Sequence, residues 1–348
     1  MARGILLAGL ALGPLAAVLR YGFDAGDVPV FCVSAVALIP LAWLIGEATE
    51  QAAEHTGSAV GGFLNASFGN APELIIALFA VADGLPDVVR GSITGSIVSN
   101  LLLVLGIALA VTEKEQLNQR SLMTNLLLVG SAALLFLIPS IAGWSGNPDR
   151  HSLAVATIPI AVILLVVYAV TTTSNLKRQR TAYQASGTQP SEGSWSLRNA
   201  LVTLGLATAM TALVSEILVH SLTGFAEAAG LSQFFVSAVM VAVVGNAAEH
   251  GGAVVIARRG KIRLASEIAV SSAAQVALFV APMVALLSFL VRPPLPLAFR
   301  PVELATIMGS ALFVAIVVWD KKGTRREGFL LLAGYAVIVI AYGLSGNR

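Results

Sequence analysis

Eleven stretches of mostly apolar residues follow one another along this chain, and no lysine or arginine interrupts any of them. They cover residues 4–20, 28–53, 57–82, 91–111, 121–141, 152–173, 197–220, 231–257, 264–290, 301–319 and 327–345. A helix of ~20 apolar residues crosses a hydrocarbon core about 30 Å thick. The pattern therefore predicts an all-α polytopic membrane protein with 11 transmembrane helices. Composition agrees, because 57% of the 348 residues are hydrophobic and 11% are charged, against about 25% charged in a soluble domain. So little charge cannot cover a water-facing surface, which excludes a soluble enzyme, and the apolar content excludes disorder. A net charge of +2 makes no case for nucleic acid as a partner. The lone Cys32 excludes a disulfide framework or a thiolate metal cluster. Residues 4–20 read as a retained helix or as the apolar region of a signal peptide, although no small-x-small cleavage site follows them.

The bases set the expected orientation. Counted over alternate loops, fifteen lie on one side, from Arg3 to Arg326, and six on the other, from Arg20 to Arg348. The richer side is expected to be cytoplasmic, which puts the N-terminus in and the C-terminus out. The longest polar stretch, 174–199, lacks the apolar residues to pack a domain and reads as a cytoplasmic linker. The expected organisation is an extra N-terminal helix (1–27), a first five-helix repeat (28–173), the linker (174–199) and a second five-helix repeat (200–348).

The repeat is visible in the residues. Gly69-Asn70-Ala71-Pro72-Glu73 in the third span returns as Gly245-Asn246-Ala247-Ala248-Glu249 in the eighth. Upstream, Thr49-Glu50 with Glu54 is echoed by Ser215-Glu216 with His220; downstream, Ser96 with Asn100 is echoed by Ser271 with Gln275. Units of five spans enter the membrane from opposite sides, and inverted repeats with interrupted helices are the architecture of secondary transporters.

A carboxylate in mid-membrane is costly and usually serves a pathway or a partner. With no lysine or arginine in any span except Arg20 and Arg198 at span ends, Glu73 and Glu249 must be protonated or hold a cation, and that choice is the logic of proton/cation exchange. Pro72 lacks an N–H and is expected to free the Phe68 carbonyl, while Gly69 and Gly245 let the backbone open. Ala248 stands where Pro72 does, so the second break should be milder. Carbonyls, the amides of Asn70 and Asn246 and two carboxylates form an all-oxygen set, which suits a hard cation such as calcium. His250 adjoins Glu249 and is either part of a proton route or locally hydrogen-bonded. Glu54, His220, Glu267 and Glu303 read as interfacial, and His55 and His151 as loop residues.

Gly69-Asn70-Ala71-Pro72-Glu73-Leu74-Ile75 and Gly245-Asn246-Ala247-Ala248-Glu249-His250 resemble the two signature repeats of calcium/proton exchangers in the cation/calcium exchanger superfamily. The resemblance extends from about residue 28 to the end. It implies that Glu73 and Glu249 bind calcium, with Asn70, Asn246, Gly69 and Gly245 beside them, and exchange it for protons. It implies further that Glu50 and Glu216 line the cytoplasmic route, and that Ser96, Asn100, Ser271 or Ser272, and Gln275 are the polar positions that follow each motif. Sodium/calcium exchangers usually carry Ser or Thr at the positions of Asn70 and Asn246, which favours protons over sodium. A sodium-coupled exchanger, or an exchanger of another divalent cation such as manganese, is the alternative. Eukaryotic members tend to have an acidic central segment, whereas Glu192 is the lone acid here, a sign of a prokaryotic member and its plasma membrane. The expected partners are calcium, protons and the bilayer, with no cofactor, and a homo-oligomer is left open. An intramembrane enzyme is disfavoured, since no His-Glu-x-x-His pair or Ser/His dyad is present.

Overall fold

The computed structural model describes residues 2–113, 115–144, 150–186, 195–291 and 294–345. Lys114, Glu192, Arg292 and Arg348 of the sequence reading lie outside them. Twelve helices account for almost all of the described residues: α1 (Arg3–Gly22), α2 (Asp27–Phe68), α3 (Ala71–Ala82), α4 (Pro86–Ala110), α5 (Gln119–Trp144), α6 (Arg150–Ser186), α7 (Leu197–Ala229), α8 (Gln233–Gly245), α9 (Ala247–Arg258), α10 (Ile262–Val291), α11 (Pro301–Val317) and α12 (Arg325–Ser345). Eight are long and apolar enough to cross a membrane, or up to nine if α8 with α9, bent by 59°, is one span. Two short strands, β1 (Glu115–Gln116) and β2 (Lys322–Gly323), pair antiparallel between loops.

Local chemistry explains the boundaries. The Ser196 hydroxyl accepts from Asn199 N at 3.3 Å and starts α7, while Gly230 ends it in the left-handed region at φ 67°. Ser232 caps α8 in the same way, through Phe235 N at 3.1 Å. Pro301 opens α11, where the Glu303 carboxylate accepts Arg300 N at 2.9 Å. Pro40, Pro139 and Pro159 sit inside long helices, a placement that membrane helices tolerate when neighbours satisfy the freed groups.

The bundle is built around α4, whose apolar window is 89% buried, while α1 and α12, at 11% and 17%, lie at the periphery. Its closest partner is α8. A Cβ on Gly95 would stand 2.1 Å from the Ala238 carbonyl oxygen, and one on Gly91 2.8 Å from that of Phe234. Glycines four apart on one face let two helices approach backbone to backbone, the small-residue packing of membrane helices. Helices α2 and α7 run side by side: Phe31 stacks on Phe225 with ring centroids 4.2 Å apart, and Ile45 and Ala48 share a buried cluster with Leu204 and Ala207.

Three expectations need correction here. The reading placed a turn between spans 28–53 and 57–82, yet one helix is continuous from Asp27 to Phe68. Drawn straight, its 42 residues would measure about 63 Å at 1.5 Å per residue. Phe68 nevertheless packs on the cluster of Ile45, Ala48, Leu204 and Ala207, so the helix bends between Ala48 and Phe68, where the reading placed a turn, without a non-helical gap. The linker expected over 174–199 is helical as far as Ser186, and its far end is docked: Trp195 N donates to Gln51 Oε1 at 2.7 Å, and its carbonyl lies 2.5 Å from His55 Nε2. His55 is thus a helix residue, as is His151, which opens α6.

Glu303 is the third correction. It is fully buried, not interfacial. Its carboxylate faces Arg90 Nε at 3.4 Å and Arg300 Nε at 3.8 Å, and Arg300 Nη2 also donates to Asp87 at 2.8 Å, next to the Asp87–Arg90 pair. Two acids and two bases therefore lock the start of α4 to the start of α11. The helix α4 begins at Pro86, ahead of the expected residue 91, which carries Arg90 into it.

Candidate functional site

Both motifs interrupt helices. Gly69 and Asn70 separate α2 from α3, and Asn246 alone separates α8 from α9. The same bond crosses both breaks: Leu74 N donates to the Asn70 carbonyl at 3.1 Å, and His250 N to that of Asn246 at 2.9 Å. Pro72 falls in the first turn of α3, where its missing N–H costs little. Glu73 and Glu249 each occupy the third position of the helix that follows the break.

The motifs face each other across the bundle. Glu73 is 3% exposed, and a Cβ on Gly245 would lie 3.1 Å from its Oε1, so the carboxyl rests against the other motif's glycine. Neither Glu73 oxygen has a hydrogen-bond partner among the described residues. Glu249 is half-buried, and its Oε2 accepts the hydroxyl of Ser272 from α10. The amides reach across reciprocally. Asn70 Nδ2 donates to Gln275 Oε1 on α10 at 2.8 Å, and Asn246 Nδ2 donates to Ser96 Oγ on α4 at 2.9 Å. Asn100 Nδ2 donates to its own helix at the Ser96 carbonyl, while its buried Oδ1 has no partner among the described residues. His250 Nε2 is likewise buried without one.

The structure thus brings Asn70 to Gln275, Glu73 to Gly245, Asn246 to Ser96 and Glu249 to Ser272, with Asn100 bonded to its own helix. Ser271 is turned away, its hydroxyl bonded to the Ile268 carbonyl at 3.1 Å. Glu50 and Glu216 are not on one side, as the resemblance implied. Glu50 is exposed beside Gln51, which holds Trp195, toward the end of the apolar span Asp27–Thr56 of α2. Glu216 lies toward the opposite end, where its carbonyl meets His220 Nδ1 and His220 Nε2 stands 3.6 Å from Asp83, just beyond α3.

The sequence reading missed one feature. Helix α4 makes a π turn at Ser99–Val104, around Asn100, and α10 makes one at Val276–Val280, directly after Gln275. Such turns concentrate at functional positions, and these two fall at matching places. The four-residue spacing of Gly91 and Gly95 was a visible signal of the α4–α8 contact; nothing in the residue pattern marks the π turns.

Chemically, the centre offers carboxylate, amide, hydroxyl and carbonyl oxygens. Among the described residues no three His, Cys, Asp or Glu come together as a metal cluster. Any ion held here would therefore draw on amide and backbone oxygens besides the two acids. Such a donor set matches hard divalent cations, which take several oxygens at flexible distances.

Comparison with known proteins agrees with this geometry. Residues 27–177 and 199–343 match the model of the sodium/calcium exchanger protein family. The chain is 36% identical over 336 residues to the Ca(2+)/H(+) antiporter of Aphanothece halophytica, covering 91% of this chain and 90% of that one. It is 36% identical over 323 residues to the Ca(2+)/H(+) antiporter ChaA of Bacillus subtilis, covering 90% and 91%. The structure of native YfkE superposes with a TM-score of 0.83 at 33% identity, over 99% of this chain and 100% of that one. The chain belongs to the sodium/calcium exchanger protein family.

Proposed function

We propose that the protein is a secondary antiporter that exchanges calcium for protons across a membrane by alternating access at a central site formed by Glu73 and Glu249. The observation that carries this reading is the meeting of two interrupted helices, with the Glu73 carboxyl against Gly245 and the amides of Asn70 and Asn246 each bonded across to the helix that follows the other motif. The calcium/proton antiporter relatives support the cargo pair.

Eleven crossings fit the described helices: the eight long ones, the bent pair α8–α9, the returning end of α2 taken with α3, and α11. In this layout residues 1–27 form an extra helix, 28–173 and 200–348 form two five-helix units of opposite orientation, and 174–199 lie on the cytoplasmic side with the N-terminus. The placement of Glu50 near one end and Glu216 toward the other supports the inversion, since inverted units put equivalent residues on opposite sides. Glu50 then lines the inner route and Glu216 the outer one. With a prokaryotic chain the membrane is the plasma membrane.

With both glutamates ionised, calcium is held by their oxygens, the Asn70 and Asn246 amides and carbonyls at Gly69 and Gly245. Ser96, Asn100, Ser272 and Gln275 hold these groups in place, and Ser271, turned toward its own helix, contributes no hydroxyl. Protons neutralise the acids, and calcium loses its attraction and leaves. His250, beside Glu249, supplies a route for the proton.

Calcium uptake into vesicles driven by an imposed pH difference tests the reading. The wild type is expected to take up calcium, and Glu73→Gln and Glu249→Gln to lose uptake. Full uptake by either variant refutes the site. Uptake driven by a sodium gradient without a pH difference favours the sodium-coupled alternative, and a panel including manganese fixes the cargo.

A further inference from the structure

Three loops converge at one end of the bundle. β1, between α4 and α5, pairs with β2, between α11 and α12; Leu117 N donates to the Lys321 carbonyl at 2.8 Å, and Gln119 Nε2 to that of Trp319 at 2.8 Å. The α9–α10 loop joins them: Asn118 Nδ2 donates to Glu267 Oε1 at 2.6 Å, and Gly260 lies against the Glu115 carboxylate. Nine exposed bases crowd this end, namely Arg120, four within 258–263 and four within 321–326.

Their pairing differs from that at the opposite end. There, Arg20 faces Asp27 at 3.6 Å, and Arg90 and Arg300 are held in the buried cluster with Asp87 and Glu303. Of the nine, only Arg263 comes within ion-pair distance of a carboxylate among the described residues, Glu267 at 3.9 Å. Of the local acids, Asp320 accepts Lys322 N at 3.0 Å and Glu327 accepts Thr324 N at 2.7 Å, while Glu113 and Glu115 form no ion pair among the described residues. Beside the bases, Trp319, Ile316 and Phe329 are exposed, and the Arg325 guanidinium sits 5.8 Å from the Phe329 ring centre.

We propose that this end is a docking surface for the headgroups of anionic phospholipids, their phosphates held by the bases of 258–263 and 321–326 and their acyl chains meeting Trp319 and Phe329. Topology alone requires an excess of bases on the cytoplasmic side. It does not require that they be unpaired, or gathered by a strand pair next to an aromatic belt. Anionic lipid attracts each base near the bilayer surface, and the effect falls within a Debye length. The placement on the cytoplasmic leaflet rests on the orientation given above.

The test counts lipids retained by the full-length protein in native mass spectrometry, with phosphatidylglycerol and phosphatidylcholine supplied together. Two variants, K321Q/K322Q/R325Q/R326Q and R258Q/R259Q/K261Q/R263Q, each leave the other group to hold the orientation. The wild type should retain phosphatidylglycerol about tenfold over phosphatidylcholine, and each variant should lose most of that preference. The charge-keeping R258K/R259K/R325K/R326K should retain it, which separates loss of charge from loss of fold. Equal retention by wild type and both neutralised variants overturns the proposal. So does displacement of the lipid by inorganic phosphate alone, which would mark a free-anion site. The count does not depend on transport: a chain that keeps its lipid preference but takes up no calcium refutes the antiport reading and leaves this one standing.

Discussion

Substituting Gly95 tests whether the backbone contact between α4 and α8 positions the site. An added Cβ would sit 2.1 Å from the Ala238 carbonyl oxygen, where ordinary contact begins at 3.4 Å, a shortfall of about 1.3 Å. The atoms in the way are backbone, so no side chain can swing aside and the helices themselves must separate. Ser96 is the next residue, and its hydroxyl accepts Asn246 Nδ2 at 2.9 Å. Opening that contact by the shortfall carries it past hydrogen-bond range. Overpacking of this kind costs about 1–3 kcal/mol, and the lost bond adds about 1 kcal/mol. A displacement near 1 Å at a reacting centre costs about 100-fold in rate. Gly95→Ala should therefore reduce proton-driven calcium uptake in vesicles about 100-fold, with a lower thermal unfolding midpoint. Gly205→Ala on α7 is the control. Nothing lies within 4 Å of its new Cβ, and such a change stabilises a helix by about 0.4–1 kcal/mol. Wild-type uptake and an unchanged midpoint in Gly95→Ala would refute the claim that this contact sets the site.

Other outcomes follow from the same geometry. Ser272→Ala removes the donor to the Glu249 carboxylate, a charge-assisted bond worth about 1.5–3 kcal/mol, so half-maximal calcium should rise about tenfold or more; Ser271→Ala, whose hydroxyl serves Ile268, should leave it unchanged. Glu303→Gln leaves Arg90 and Arg300 with Asp87 alone and should lower stability by about 3 kcal/mol, read as a drop in the unfolding midpoint, with the calcium dependence of the remaining folded protein preserved. Collapse of the pH difference by a protonophore should stop uptake, since each pH unit supplies about 1.4 kcal/mol per proton; uptake that persists would sever calcium from protons. Trp195→Ala keeps the backbone bonds to Gln51 and His55 but removes the ring packed on the Ile45 and Ala48 cluster, and limited proteolysis near residue 195 should become faster.

The class of the protein and the two motifs were legible because each has a one-dimensional signature. Apolar runs mark the helices, and Gly-Asn at both breaks with an acid three residues beyond Asn marks the site. Pairings across the bundle carry no such signature. Nothing in the order of residues says that Asn70 meets Gln275 while Asn246 meets Ser96, because both bonds join residues at least 150 positions apart. Ser271 and Ser272 are adjacent, and only the rotation of α10 decides which hydroxyl reaches Glu249. Glu303 looked interfacial because it lies near the end of an apolar run; its burial depends on Arg90 and Arg300, which the fold brings together. Glu50 and Glu216 occupy equivalent sequence positions, yet Glu50 adjoins Gln51, which holds Trp195, and Glu216 lies beside His220, which faces Asp83.

The positions of Glu73 and Glu249 one turn past each break have an electrostatic consequence. A helix end carries about half an elementary charge, positive at the start and negative at the finish. Each break sets the finish of one half-helix beside the start of the next, so the backbone's contributions nearly cancel at both places. The charge of the centre is then set by the two acids. One divalent cation brings it to neutrality, and so do two protons, whereas a single proton leaves it negative. Since net charge is costly to carry through a hydrocarbon-bounded interior, the site proposed above would act as a counter of charge, passing only loads that sum to zero.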